Sequence, residues 1–383
     1  MQMVLMFFSV SYLAIFFLLL QTFLFCDVET IAPGVTYEFR KAQDPAQAIH
    51  ILRVNPKKAK IALTHALSDG VGREPLSSIA ERTGAIAAVN GGFFRYWGTY
   101  DGQATGLLKI GGEYYSMGKK TRGAIGWKKD SSVVLFNRLQ LTPKIKFNGI
   151  DYPLDGLNHS RNHKDAMLYT ACFHRTTLTS PAGTEFLIQN NKVVAYHKQK
   201  GDSPIPADGY VYSLGKDVKI DMASITPTSK VEVSFQLEAF LPTKPNELAL
   251  WHECDNIIGG APLIIKDGAC VTDFSQEGIR ESFLNKPHPR TAVGTCSDGT
   301  WVFVVVDGRN PLLSVGLSIN ELTALMQSLG CTNALNLDGG KSTTMTIAAE
   351  VVNSPCSMVE EDELNDKSQR PISDAIIILP LDS

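Results

Sequence analysis

Three apolar runs of this chain end in a polar side chain followed at once by glycine: Asn90-Gly91-Gly92, Asp307-Gly308-Arg309 and Asp338-Gly339-Gly340. Such endings offer definite chemistry. A carboxylate can take a proton or attack an electrophilic carbon, and an amide can orient a hydroxyl. The glycine lets backbone N–H groups come close to a ligand and form an anion-binding nest. One Asx-Gly pair alone would be an ordinary turn, but three at inferred strand ends point to one polar rim. Cations and hydroxyls lie near by in sequence: Arg290 in "NKPHPRTAVGT", Arg309 itself, and Ser342 in "DGGKSTTM". Either arginine can grip a phosphate or carboxylate bidentately, or sit in a surface ion pair. His288, held between two prolines, reads as a structural loop histidine, and Glu281 upstream is a weaker carboxylate candidate.

Two further segments carry suitable side chains. "GLNHSRNHKDAMLYT" places Asn158 and Arg161, with His159 and His163, either in reach of a sugar or phosphate or on a solvated loop. Asn158-His159-Ser160 is also a glycosylation sequon. Phe93, Phe94, Tyr96 and Trp97 follow the first glycine pair, and suit either the apolar face of a sugar ring or core packing.

The elements that must position these residues are most legible in the last third. "TWVFVVV" (300–306) is a buried strand by its β-branched, apolar run. Ser318 and Glu321 form a capping box, Leu322, Leu325, Met326 and Leu329 follow at helical spacing, and Gly330 ends the helix. "NALNL" (333–337) is the next strand, so the unit is βαβ and its two strands are parallel. Parallel strands bring Asp307 and Asp338 to one edge, where open sheets place ligands. "AKIALTHAL" and "AIAAV" read as strands around a helix at 75–84, "GGAPLIIKDGACV" as a strand and turn, and "AIIILPL" as a final strand. Residues 130–250 are rich in short antiparallel β signals such as "TEFLIQNNKVVAYH". The expected class is mixed α/β (α+β): a β-rich central mixed sheet with βαβ units and flanking helices, plus that antiparallel middle region.

Composition bounds the rest. With 383 residues and 44% hydrophobic content, the chain can bury a sizeable core in residues 27–383. A net charge of −3 without a basic stripe excludes nucleic acid as a partner. The first 25 residues hold no charged side chain and read as an export signal or membrane anchor, the chain's only expected tie to a membrane. Export places the protein in the periplasm, at the cell surface or outside. Of seven cysteines, six lie beyond Cys26, enough for three disulfides or for buried free thiols. No motif indicates a metal and no cofactor is required, although several Asp and Asn side chains on one rim suit a hard cation such as Ca²⁺. The acidic run Glu360 to Glu363 reads as a solvated loop.

Six blocks, "AAVNGGFF", "GGAPLI", "PRTAVG", "VVVDGR", "GLSINELTALMQSLGCTNALNLDGGKSTTM" and "RPISDAIII", occur in the order seen in the phosphodiester glycosidase family, which the chain resembles over residues 60–380. Lys341 departs from that pattern, since many relatives carry a third glycine there. The resemblance implies hydrolysis of a sugar-1-phosphodiester. The family's polar positions fall on Asn90, Arg290, Asp307, Asp338 and Ser342, with the glycine pairs beside them. Glycoside hydrolysis usually takes two carboxylates, here drawn from Asp338, Asp307 and Glu281. A phosphate leaving group mainly needs its charge neutralised, a task for Arg290 with the Gly339 and Gly340 amides. Two rival functions fit the same rim: a non-catalytic envelope carbohydrate-binding protein, and a hydrolase of another cell-wall or exopolysaccharide linkage.

Overall fold

The computed structural model describes residues 25–118, 120–356 and 369–381. The N-terminal apolar segment and the acidic run at 360–363 thus lie outside the described residues. Strands make up 46% of the structure and helices 12%, so the protein is β-rich and only loosely a mixed α/β fold. Among the described residues no helix is long and apolar enough to cross a membrane.

Four sheets carry the fold. The largest runs in the order Phe25–Ala32, Val35–Gln43, Ala46–Val54, Trp301–Val306, Arg290–Cys296, Cys331–Asn336, Leu263–Lys266 and Ala269–Cys270. Trp301–Val306 and Cys331–Asn336 are the two strands expected to flank a helix, and they do run parallel to one another. They are not neighbours, because Arg290–Cys296 lies between them and pairs antiparallel with both. Every neighbouring pair in this sheet is antiparallel, which corrects the expected mixed sheet. The connecting helix, Ile319–Ser328, begins at the Ser318 and Glu321 capping box.

The inserted strand matters for the site. Antiparallel to both neighbours, it starts at the edge where they end. Arg290 pairs with Val306 and Ala292 with Asn336, so Arg290, Asp307 and Asp338 share one edge. A second sheet brings Ala87–Asn90 between Met345–Ile347 and Asp374–Pro380, antiparallel to each. Its matching edge carries Asn90, Thr344 and Asp374. Alternating apolar residues from both sheets, including Leu52, Val89, Val293, Val305, Leu335 and Ile376, interlock with Ile125 and Trp127 of a third. Each such buried aliphatic side chain contributes about 1.5–3 kcal/mol, which fixes the two edges against each other.

The middle region forms its own antiparallel packing, with Leu141, Phe147, Phe186 and Tyr212 at its centre. The described cysteines Cys172, Cys254, Cys270, Cys296, Cys331 and Cys356 are all unbonded, so none of the disulfides that six cysteines allow is formed.

Candidate active site

Asn90 is the joint between the two sheet edges. Its Nδ2 donates to the Asp338 carbonyl at 2.8 Å. Its Oδ1 accepts from Thr291 Oγ1 at 2.7 Å and from the Thr344 amide at 3.1 Å. Only 1% of the residue is exposed. Asn90 therefore shapes the site from behind and leaves no donor for substrate, unlike the binding role expected of it.

The two glycines that follow are required by contact. A Cβ on Gly91 would run into Asp374 Oδ1, and one on Gly92 would sit 2.9 Å from the Gly259 carbonyl. The Asp338 amide donates to the Gly91 carbonyl at 3.1 Å, and the Gly91 amide to the Asp374 carbonyl at 2.8 Å. Gly92 N donates to Asp374 Oδ1 at 2.7 Å. Asp338 and Asp374 thus bracket the Gly91-Gly92 turn. Burial pushes Asp338 up to about 6, against the pull of the Ser342 hydroxyl, the Arg370 guanidinium and the Gly339 amide, while the Asp374 charge adds to the rise. Asp338 as a residue is partly exposed, and its carboxyl is the perturbed one of the rim.

Arg290 is fully buried, yet no carboxylate among the described residues holds it. Nε donates to the Leu317 carbonyl at 2.8 Å and Nη2 to the Phe283 carbonyl at 2.6 Å, with the guanidinium 4.6 Å from the Phe283 ring centre. Nη1 is buried without a partner among the described residues. Burial, then the nearby Arg309 charge, pulls Arg290 down to about 10, and it stays cationic at neutral pH. Exposed Arg309 adopts left-handed backbone at φ 64°. Its Nη2 lies 3.2 Å from where a Gly340 Cβ would be, which with φ +63° at Gly340 explains that glycine. Arg309 Nη2 also lies 3.5 Å from His288 Nδ1. Burial, followed by Arg290 and Arg309, lowers the His288 pKa and keeps its ring neutral beside the two cations. The Gly340 amide donates to the Pro289 carbonyl at 3.0 Å, tying the Gly339-Gly340 turn to the residue before Arg290. Lys341 is half-buried and has no positive φ, so a side chain fits at this position.

Two residues here were not singled out from the sequence. One is Asp374, whose Oδ1 accepts from the Gly92 amide. Arg370 sits 4.0 Å from the Tyr96 ring centre and 5.1 Å from that of Phe94, with Nη1 3.5 Å from Ser342 Oγ and Nε buried without an acceptor among the described residues. Arg73 lies 4.3 Å from the same Tyr96 ring. The motif "RPISD" offered a signal, since like "PHPRTAVG" it sets an arginine just ahead of a strand.

The remaining candidates stand elsewhere. The Asp307 carboxylate turns inward: Oδ1 accepts from Asn353 Nδ2 at 2.8 Å, both oxygens from the Ser354 amide, and Oδ2 lies 3.4 Å from His50 Nε2. It braces the 353–354 segment and is not on the rim. Glu281 is exposed at the start of the short helix Glu281–Asn285. Asn158 is fully buried, bonding Thr170 through both ends of its amide, which also excludes the sequon as a glycosylation site in the folded protein. Arg161 donates to Ser213 Oγ and to the Leu214, Ser180 and Ala182 carbonyls. Both are braces of the middle region, not rim residues. A cavity of about 670 Å³ lies at the opposite edge of the large sheet, around Asn55, Asp130, Thr295 and Asn333, and includes none of the site residues.

The rim therefore presents one ionisable carboxyl, the exposed Arg309 and an aromatic wall, with Arg290 buried behind them and neither arginine held by a carboxylate among the described residues. Such a set can hold an anion while a base acts beside it.

Comparison with known proteins bears on the family and the fold. The family model described as phosphodiester glycosidase matches residues 182–379. An uncharacterized protein of Rickettsia conorii is 27% identical over 232 residues, covering 60% of this chain and 77% of that protein. The crystal structure of a hypothetical protein from Synechocystis superposes with a TM-score of 0.75 at 23% identity, over 91% of this chain; the chain spans 62% of that protein. A Burkholderia pseudomallei protein superposes with a TM-score of 0.76 at 20% identity, covering 93% of this chain and 96% of its own. These two likenesses bear on the fold alone.

Proposed function

The chain belongs to the phosphodiester glycosidase family, and from that premise we propose that it hydrolyses a sugar-1-phosphodiester, freeing the sugar and leaving the phosphate on its carrier. One observation supports this above the others: a fully buried guanidinium, Arg290, with an unpartnered nitrogen and no carboxylate among the described residues, set beside Arg309, which meets the Gly340 turn that follows Asp338. Cations buried without counter-charge are expensive unless an anion completes them.

In the proposed reaction the phosphate lies against Arg290, Arg309 and the Gly339-Gly340 turn. Asp338, ionised near neutral pH and made more basic by its burial, takes a proton from water as the water oxygen bonds to the anomeric carbon. The bond from that carbon to the phosphate oxygen breaks, and its electron pair leaves on the phosphate, where the two arginines balance the growing charge. Protonation of the leaving group is not needed. Asp374 holds the Gly92 amide and orients the turn, which makes it a positioning residue. Phe93, Phe94 and Tyr96 offer apolar faces to the sugar. The uncharged first 25 residues support export, so the substrate would be met outside the cytoplasm.

The test is direct. Purified protein is incubated with a sugar-1-phosphodiester carrying a chromogenic carrier group, and free sugar is measured. Release of sugar and of the carrier phosphate in equal amounts is expected. Binding without release would favour a carbohydrate-binding protein, and release only from phosphate-free glycosides would favour another hydrolase; either overturns the proposal.

A further inference from the structure

The site holds more positive charge than one phosphodiester balances. Besides Arg290, Arg309 and Arg370, a fourth guanidinium reaches it. Arg122 opens the strand Arg122–Trp127, and its guanidinium lies 5.6 Å from the centre of the Phe93 ring. Phe93 packs against Phe283 at 6.3 Å between centroids, and Phe283 lies under Arg290. An aromatic pair thus carries an arginine at each end. Arg122 is half-buried, and its Nε is buried with no acceptor among the described residues. The carboxylate that acts on it, Glu277, is already engaged by Arg138 Nε at 2.9 Å and by the Gly123 and Leu263 amides.

A lone arginine on a strand would mean little. Here its unsatisfied nitrogen, its place beyond two packed rings tilted by 60° and the unpartnered Nη1 of Arg290 at the far end form one pattern: cation, apolar ring surface, cation. Resting on the reaction proposed above, we infer that the substrate is at least dianionic, with a second negative group, held by Arg122, one ring away from the phosphodiester held by Arg290. The intervening ring lies over Phe93 and Phe283. The second anion belongs either to the glycosyl unit, as in a uronic acid, or to a phosphorylated carrier.

Three compounds distinguish these sources: a hexosyl phosphodiester with a neutral carrier, its uronosyl counterpart, and the hexosyl compound with a phosphate on the carrier. Either the second or the third is expected to show a kcat/KM about ten- to hundredfold above the first, the range of one charge-assisted contact. In Arg122→Gln protein that preference collapses towards one, carried by KM. Equal kcat/KM for all three, or a preference that survives Arg122→Gln, overturns the inference while leaving the reaction intact. If none is turned over, the reaction falls and binding decides the subsite. Calorimetry on Asp338→Asn protein should then still show tighter binding of one dianionic compound, lost on adding Arg122→Gln; equal binding of all three overturns the subsite. Thermal unfolding of each variant verifies that it is folded.

Discussion

Asn90 Nδ2 donates to the Asp338 carbonyl at 2.8 Å, across 248 residues of chain. This bond joins the edges of two sheets and sets where the Asp338 carboxyl stands. Asn90→Asp turns the donor into an acceptor facing a carbonyl, in a place with 1% exposure. It should cost about 2–4 kcal/mol of stability, read by denaturant unfolding. A loss under about 0.5 kcal/mol would mean that Asn90 is not the joint.

Asp338→Asn should reduce kcat by about 10²–10⁴ and also stabilise the protein. Burial lifts the folded carboxyl from 3.8 to about 6, so the folded state binds this proton more tightly than the unfolded chain does. That favourable contribution is complete below pH about 4 and is lost as pH rises through about 6. The full shift corresponds to at most about 3 kcal/mol, and the half-open position of the residue reduces the expected gain to about 1–2 kcal/mol. Unfolding at pH 8 should therefore show the variant more stable than the wild type, with the difference gone by pH 4. In the wild type, kcat/KM should rise with pH along a limb centred near 6. A flat profile from pH 5 to 8 would remove Asp338 as the base.

Arg309 and Glu281 separate a rim cation from a bystander. Arg309→Gly suits the φ of 64°, so stability should hold or rise by about 0.5 kcal/mol, while affinity for a sugar phosphate falls about tenfold. Glu281→Gln, at an exposed position, should change neither by more than about twofold. Titration calorimetry checks both.

Asp307 braces the interior. Asp307→Ala leaves the Ser354 amide unpaired and Asn353 Nδ2 with only the Thr343 carbonyl and should cost about 2–4 kcal/mol, with KM of the folded fraction near that of the wild type. A stable variant with a tenfold higher KM would return Asp307 to the binding surface.

The shared edge was legible because the capping box at Ser318 and Glu321 and the two apolar runs fix a parallel pair. That Arg290–Cys296 runs between them was not, since strand order depends on packing far along the chain. Nor could the sequence tell which polar side chains face outward. Asp307 turns in because Asn353 and Ser354, nearly fifty residues on, meet it there. "NHSRNH" looks solvated, yet backbone carbonyls from residues 180–214 satisfy Arg161 inside the middle region. Asp374 and Arg370 went unnoticed because a short polar step before a final strand looks like an ordinary entry.

Hydrolysis in ¹⁸O-labelled water tests cleavage at the sugar carbon most directly. With a sugar-1-phosphodiester as substrate, mass spectrometry should find the label in the released sugar and none in the phosphate product. Label in the phosphate would mean attack at phosphorus, and would contradict the role given to Asp338 and the two arginines.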